Sequence, residues 1–303
     1  MEVLESGARQ LDRVERASGL DATIEVLRRV VRRIIPAGPV ADALHGRWFG
    51  HPLHPALTDV PVGAWVGAAV LDAVQASAGW WPLRQAARPG QETAATALVG
   101  LGLAAAVPSA VTGYNDWADA GREQERLGLW HGLANGAAAI AYTASLVARL
   151  RGRHATGRAL GGLGLAAATV GAYLGGHLAY RSGTGFNHAE PAWRRLPREW
   201  QFVGEWSALP QGRPVRRLVG DVPVLVYRGP RTVHVLVEQC VHMAGPLADG
   251  SMTVVDDEPC VVCPWHGSTY RLRDGAVRRG PAAMPQPVLK VRVVGERVEA
   301  RRP

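Results

Sequence analysis

Two short stretches, Cys240-Val241-His242 and Cys263-Pro264-Trp265-His266-Gly267, decide the fold of the last third of this 303-residue chain. Each stretch offers one thiolate and one imidazole at a spacing that a single short loop can present to a metal. Two thiolates and two imidazoles suit a two-iron, two-sulfide cluster in which two cysteines hold one iron and two histidines hold the other. A structural zinc ion with two cysteine and two histidine ligands is the competing interpretation.

The sequence around these stretches resembles the Rieske family over roughly residues 196–303. The run from Cys240 to Leu247 matches the first cluster loop of that family, and the run from Cys263 to Gly267 matches the second. Gly280-Pro281-Ala282, with Pro285 and Pro287, resembles its proline loop, and a zinc site would not need these flanking residues. The resemblance implies a small antiparallel all-β domain and a [2Fe–2S] cluster whose ligands are Cys240, His242, Cys263 and His266.

Two hydroxyl side chains, Ser268 and Tyr270, follow the second stretch. In Rieske proteins of high potential, hydroxyls at these places donate hydrogen bonds to a bridging sulfide and to a ligand cysteine. The resemblance therefore implies that both tune the cluster, because donors aimed at sulfur stabilise its reduced, more negative state. The alternative is a serine in a turn and a tyrosine packed in the core. We expect the third cysteine, Cys260, to be a buried free thiol on a strand.

The two halves of the chain differ in their hydrophobic patterns. Alternating residues in 222–228, 232–238 and 288–294, with turn residues between them, predict short antiparallel strands in the C-terminal half. Residues 93–113, 127–148 and 159–180 contain no Asp, Glu, Lys or Arg, and each is long enough to cross a bilayer as a helix. Residues 55–79 are a weaker fourth span. We expect Asp72, near the end of that span, to snorkel to the interface.

These patterns predict an α + β multidomain protein. The expected parts are a four-helix transmembrane domain over residues 37–182, a linker over residues 183–195 and the Rieske domain over residues 196–303. A soluble four-helix bundle is the alternative for the helical part, because its helices are rich in alanine. Residues 1–36 have apolar side chains at helical spacing and several arginines, which predicts a basic amphipathic helix on the lipid surface, or docked on the Rieske domain.

The distribution of arginine predicts the orientation in the membrane. The N-terminal segment and the loops expected on the same side carry 14 arginines, against six on the opposite side. The positive-inside rule then places both termini and the Rieske domain in the cytoplasm, in a multi-pass protein of a bacterial cell membrane. The lipid bilayer accounts for the net charge of +8 without a nucleic-acid partner.

The helical part also contains histidines. Gly50-His51-Pro52-Leu53-His54-Pro55 resembles the signature of uncharacterised four-span bacterial membrane domains, a likeness that covers roughly residues 45–182. The alternating direction of the spans places His51, His54, His131 and His177 toward one membrane face. Such histidines could be axial ligands of haem b or could line a quinone pocket. Alternatively they cap helices and hydrogen-bond between them.

The expected function is that of a membrane-anchored Rieske protein, which carries single electrons between a membrane donor (quinol or haem) and a partner protein. The alternatives are a redox sensor or scaffold with a membrane anchor, and a ferredoxin-like component of an oxygenase or reductase system. A catalytic oxygenase subunit is disfavoured, because no D/E-x-x-H-x-x-x-x-H iron motif follows the cluster segment. We therefore expect no catalytic residues in this chain.

Overall fold

The computed structural model describes residues 11, 13–76 and 90–303, which form two compact units. One unit contains the described residues up to Val31 together with Leu53–Ser182, and the other contains Arg32–Pro52 and Gly183–Pro303. In this division residues 37–52 and residues 183–195 belong to the β-rich unit, and the expected domain boundaries remain predictions. The parts of the expected N-terminal helix and membrane domain at residues 1–10, 12 and 77–89 lie outside the described residues.

The first unit is helical. After α1 (Asp21–Ile34), four long helices follow: α3 (Leu53–Ala76), α4 (Gln91–Trp117), α5 (Arg122–Leu150) and α6 (His154–Tyr180). Three of them, α3, α4 and α6, are long and apolar enough to cross a membrane. The helix α5 is long enough, but it begins with several charged residues and contains His131 and Asn135. The helical region thus has three candidate spans among the described residues, and a fourth remains a prediction.

Glycines determine how closely these helices pack. A Cβ atom on Gly102 of α4 would lie 2.2 Å from Nε1 of Trp65, and one on Gly164 of α6 would lie 2.8 Å from the Tyr142 ring. The two aromatic rings stack on each other with their centroids 4.3 Å apart and their planes at 12°. Small residues that let backbones approach closely are typical of helix packing in lipid.

Asp72 does not snorkel, contrary to expectation. Its carboxylate binds the guanidinium group of Arg149 through two hydrogen bonds, and the Arg149 side chain is only 1% exposed. Arg149 also donates to the hydroxyl of Ser145, and a Cβ atom on Gly157 would collide with the arginine side chain. A buried charge is tolerated when it is paired and hydrogen-bonded, so Asp72 is stabilised by Arg149 and does not need to reach the membrane interface.

The helix α1 places its charged side toward the start of α5. Asp21 accepts two hydrogen bonds from Arg126, and Glu25 lies 3.6 Å from Arg122. The opposite side of α1 exposes four large apolar residues, namely Val26, Leu27, Val30 and Ile34. The helix is therefore amphipathic as predicted, and its ion pairs are with the helical unit.

The second unit is an antiparallel β structure with two short helices, α2 (Pro39–Leu44) and α7 (Glu190–Arg195). Ten strands form three sheets, with the orders β1-β10-β9, β2-β3-β4 and β5-β6-β7-β8. The strands are β1 (Gln201–Glu205), β2 (Pro214–Val219), β3 (Val222–Arg228), β4 (Val233–Val237), β5 (Ser251–Val255), β6 (Glu258–Val262), β7 (Thr269–Arg271), β8 (Val277–Arg279), β9 (Lys290–Val294) and β10 (Arg297–Arg301).

The central strands of this unit position the two Cys/His stretches. Seven valine and leucine residues of β3 and β4 are completely buried, so β4 is a rigid support for the loop that begins at Cys240. The strand β6 pairs with both β5 and β7, and it leads directly into the loop that begins at Cys263. Ala189 and Ala192 pack into the same core, which explains why residues 183–195 are ordered.

Candidate metal centre

Each of the two loops is closed by its own backbone. The N–H group of Cys240 donates to the carbonyl of Gly245, and that of Cys263 donates to the carbonyl of Ser268. The first loop contains Ala244 at a φ of 60°, and the second contains Gly267 at a φ of 73°. These left-handed residues turn the chain back on itself, so each cysteine and its nearby histidine are presented on the same tight turn.

The four candidate ligands meet as two pairs. The Cys240 and Cys263 side chains are within hydrogen-bonding distance of each other, and both are buried. The imidazole rings of His242 and His266 lie with their centroids 5.1 Å apart and their planes at 84°. Within the described part of the chain, no three or more His, Cys, Asp or Glu side chains gather at one point. One pair of sulfurs and one pair of imidazoles fit the two irons of a cluster, with two ligands at each.

Hydrogen-bond donors around the cysteine pair stabilise a negative charge on the sulfur of Cys263. The Cys240 thiol donates a hydrogen bond to the Cys263 sulfur, and this bond lowers the pKa of Cys263 to about 6. Backbone N–H groups of Trp265 and His266 also lower it. The same contact with Cys263, together with burial, raises the pKa of Cys240. Thiolates are the form in which cysteine binds metal, so donors around the sulfurs favour the ligand state.

Tyr270 and Ser268 both lie beside this site. The hydroxyl of Tyr270 is 3.0 Å from Sγ of Cys240, and burial raises the pKa of Tyr270 well above its usual value, so the phenol keeps its proton. The hydroxyl of Ser268 accepts a hydrogen bond from the N–H group of Ala282. A hydroxyl donates through its proton and accepts through its lone pairs, so this contact does not use the Ser268 proton, and the hydroxyl of Tyr270 is a further hydrogen-bond partner of Ser268.

The proline-loop segment approaches Ser268 very closely. Gly280 has a φ of 89°, and a Cβ atom there would lie 2.7 Å from Cα of Ser268. A glycine is therefore required both by the backbone conformation and by the close approach. Likewise, a Cβ atom on Gly245 would lie 2.8 Å from the sulfur of Cys263.

Two supporting residues were not predicted from the sequence. Gln286, which is 1% exposed, donates to the carbonyls of Val237 and Gln239 and accepts from the N–H group of Val241. It therefore holds the start of the first loop. Its position between Pro285 and Pro287 in the predicted proline loop was the only sequence signal.

The second supporting residue is Asp42, whose side chain is 7% exposed. Its Oδ1 accepts a hydrogen bond of 2.9 Å from the N–H group of Gly280, and its Oδ2 accepts one of 3.0 Å from Arg47. Arg47 also donates to the carbonyl of Arg278. The segment before the first long helix thus holds the proline loop at two points, a contact that no local pattern in the sequence indicates.

The remaining cysteine lies apart from the pair. Cys260 is buried on β6 opposite Thr253, and its thiol interacts with the carbonyl of Glu258. This position agrees with the expected free thiol on a strand.

The structure brings two of the predicted helix histidines together. The rings of His54 and His131 lie 6.1 Å apart between centroids, with their planes at 89°. His177 instead lies 3.7 Å from the carboxylate of Glu15, and His51 is exposed. The four histidines therefore do not form one cluster through the contacts that the structure describes.

The fold and this donor set define an iron–sulfur domain joined to a helical membrane domain. Residues 199–292 match the Rieske [2Fe–2S] domain family, and residues 50–188 match a family described as "Predicted membrane protein (DUF2231)". The chain therefore carries a C-terminal Rieske [2Fe–2S] domain and, before it, a domain of this family of predicted membrane proteins. The Rieske [2Fe–2S] cluster is the cofactor of the C-terminal domain.

Individual relatives cover the Rieske domain. The ferredoxin subunit of anthranilate 1,2-dioxygenase from Burkholderia cepacia is 28% identical over 101 residues, which are 33% of this chain and 90% of that protein. A human Rieske domain-containing protein is 30% identical over 73 residues, which are 24% of this chain and 46% of the human protein. Among solved structures, the ferredoxin of carbazole 1,9a-dioxygenase from Nocardioides aromaticivorans is 23% identical, with a TM-score of 0.32. The match covers 34% of this chain and 98% of the ferredoxin chain.

The hydroxyls of Ser268 and Tyr270 generate a first prediction. Ser268→Ala and Tyr270→Phe should each lower the midpoint potential of the cluster, because each removes a hydroxyl that we expect to donate to sulfur and so to stabilise the reduced state. A hydrogen bond worth about 1–2 kcal/mol corresponds to roughly 40–90 mV for one electron. Voltammetry of the full-length protein measures the shift, with Ser251→Ala and Tyr227→Phe on other strands as controls. Unchanged potentials in both variants would show that the hydroxyls point elsewhere.

The contact between Asp42 and Gly280 generates a second prediction. Asp42→Ala and Asp42→Asn remove the same charge, but only asparagine keeps an oxygen that accepts from Gly280. We expect the alanine variant to have the lower potential, because a displaced proline loop no longer fixes Ser268. The shift should not exceed that of Ser268→Ala. Equal potentials in the two variants would contradict the prediction, and the exposed residue Asp221 provides the matched control pair.

Proposed function

We propose that this protein is a membrane-anchored Rieske electron carrier, which accepts single electrons from a donor in the membrane and delivers them to a partner protein. The observation that supports this proposal most strongly is that two loops bring a cysteine pair and a histidine pair together, next to the hydroxyl of Tyr270. When bound, a cluster of this type supplies one-electron transfer at a higher potential than a cluster with four cysteine ligands.

In this proposal Cys240 and Cys263 hold one iron, and His242 and His266 hold the other. Tyr270 donates to the sulfur of Cys240, and Ser268 would donate to a sulfide of the bound cluster. Gln286 and the contact between Asp42 and Gly280 keep the loops in place, so that little reorganisation accompanies a change of charge. The ligand histidines are the exit for electrons, because each is partly exposed whereas the cysteines are buried.

The helical domain anchors the protein in the membrane and holds the group that donates electrons to the cluster. Its four long helices cross the membrane, with α5 as the fourth span, and the apolar side of α1 lies in the lipid interface beside Arg29 and Arg33. The cluster domain is in the cytoplasm. A haem b or quinone near His54, His131 and His177 is the membrane donor. The meeting of His54 with His131 in the helical unit supports this assignment.

A second candidate function is that of the ferredoxin component of an oxygenase or reductase system that is held at the membrane. The 28% identity with a dioxygenase ferredoxin subunit favours it, since that relative is almost completely covered. The two candidates differ only in the acceptor. A sensor or scaffold would keep the cluster but would not need rapid exchange of electrons.

The ligand assignment generates a third prediction. The full-length protein should contain two irons and two labile sulfides, and its reduced form should show the low average g value of mixed cysteine and histidine ligation. Cys240→Ser, Cys263→Ser, His242→Ala and His266→Ala should each abolish assembly or change the spectrum. Cys260→Ser is the matched control and should leave both unchanged. Stoichiometric zinc without labile sulfide would refute the assignment.

The electron-transfer role generates a fourth prediction. In liposomes, a quinol analogue should bleach the visible absorption of the oxidised cluster, and the later addition of an oxidised acceptor protein such as a cytochrome should restore it. Stopped-flow absorption measures both steps, and liposomes without the quinol analogue are the control. A cluster that dithionite reduces but the quinol analogue does not would exclude quinol as the donor.

A further inference from the structure

The helical domain contains an internal repeat. Residues 100–106 and residues 162–168 are the same heptapeptide, Gly-Leu-Gly-Leu-Ala-Ala-Ala, one in α4 and the other 62 positions later in α6. The described buried residues of the two helices repeat at the same interval. The six pairs are Ala95 and Gly157, Val99 and Gly161, Gly102 and Gly164, Ser109 and Gly171, Thr112 and Leu174, and Asn115 and His177.

The preceding helices of each half repeat as well. His54, Trp65 and Asp72 of α3 correspond to His131, Tyr142 and Arg149 of α5, each 77 positions later. Every one of these residues contacts its own counterpart, through neighbouring imidazoles, a ring stack and an ion pair respectively. A residue that contacts its own counterpart lies on a twofold axis. The α3–α4 and α5–α6 hairpins are thus two copies of one unit around a pseudo-twofold axis.

The histidine pair is built symmetrically at this axis. Nδ1 of His54 is 2.8 Å from the carbonyl of Ser109, and Nδ1 of His131 is 2.8 Å from the carbonyl of Gly171, the counterpart of Ser109. A carbonyl only accepts, so each Nδ1 carries a proton, and in a neutral imidazole Nε2 then keeps its lone pair. This tautomer, fixed by a backbone carbonyl, is the arrangement of histidines that bind metal through Nε2.

Two glycines, also counterparts, let the rings approach the neighbouring helices. A Cβ atom on Gly113 would lie 2.8 Å from the His54 ring, and one on Gly175 would lie 3.0 Å from the His131 ring. Asn135 Nδ2 donates to the backbone carbonyl of His131 at 2.9 Å and lies 3.4 Å and 3.3 Å from the two ring nitrogens, so it sits over the ring and leaves the Nε2 lone pair free for a ligand. Among the residues that the structure describes, the two rings do not hydrogen-bond to each other. The strong hydrogen bonds of both rings are made through Nδ1, which leaves each Nε2 open to a ligand.

The separation of the rings fits a shared metal. With metal–nitrogen bonds of about 2.0–2.1 Å, two imidazoles on opposite sides of one ion have ring centres about 6 Å apart. The observed distance is 6.1 Å. Imidazole nitrogen is a ligand suited to copper and to iron, including the iron of haem.

We propose that His54 and His131 bind one redox-active metal, through Nε2, on the pseudo-twofold axis of the helical domain. The metal is a copper ion or the iron of a haem, which share this two-imidazole chemistry. The proposal deepens the proposed function, because it names a metal rather than a quinone as the membrane group and excludes His177 from its ligands. It depends on no property of the iron–sulfur cluster.

The test uses full-length protein from cells supplied with copper and with a haem precursor. Elemental analysis and the optical spectrum should reveal a copper ion or a haem in addition to the two cluster irons. The double variant His54→Asn, His131→Asn should lose this metal almost completely. Asparagine retains a donor at the place of Nδ1, so the helices remain packed, and each single variant should lose most of the metal. His51→Ala is the control and should retain it.

The outcomes separate this proposal from the proposed function. A wild-type protein with an intact cluster spectrum and neither copper nor haem would overturn the metal site and leave the cluster assignment in place. Metal that persists in the double asparagine variant would also overturn it. A quinone that co-purifies with the wild type alone, without metal, would assign the histidines to quinone instead. Loss of the cluster signal in wild type would count against the proposed function only.

Discussion

The structure of the C-terminal domain depends on one requirement, that two loops from different strands deliver two sulfurs to one place and two imidazoles to another. The loops begin at Cys240 and Cys263, and no contact within either loop can set their separation. The buried side chain of Gln286 and the close approach of Gly280 to Ser268 perform this task from a third segment. Asp42 extends the support to a fourth. Precise positioning of metal ligands by a surrounding shell is general in metal sites.

The helical domain meets a different requirement, which is to accommodate rings and charges between closely packed helices. The stacked aromatic side chains of α3 and α5 are each placed against a glycine of the next helix, Trp65 against Gly102 and Tyr142 against Gly164. The neighbouring helix thus contributes backbone rather than side chain, and its carbonyls become the partners of the histidines. Apolar helices without these glycines would have to separate, and the contacts along the axis would be lost.

Sequence patterns predicted the elements well where the signal was local. The strand Val222–Arg228 was predicted with its observed bounds, and the charge-free runs lie inside the long helices. The expected snorkelling of Asp72 was wrong, because its partner Arg149 is 77 positions away and no local pattern links the two residues. The role of Asp42 depends on a contact with Gly280 across the chain and could not be predicted from spacing. The identical heptapeptides at residues 100–106 and 162–168 are a sequence signal of the repeated hairpin, whereas hydropathy distinguishes only apolar from polar runs.

The ion pair of Asp72 and Arg149 has a consequence for how the two hairpins recognise each other. Two copies of the first hairpin, related by the same axis, would place two carboxylates against each other in a dry interior. Two copies of the second would do the same with two guanidinium groups. Like charges without compensation are strongly unfavourable there, so each hairpin accepts only the other as its partner. The two halves of the repeated unit carry opposite charges on their common axis, so they form an obligate pair of unlike partners within one chain.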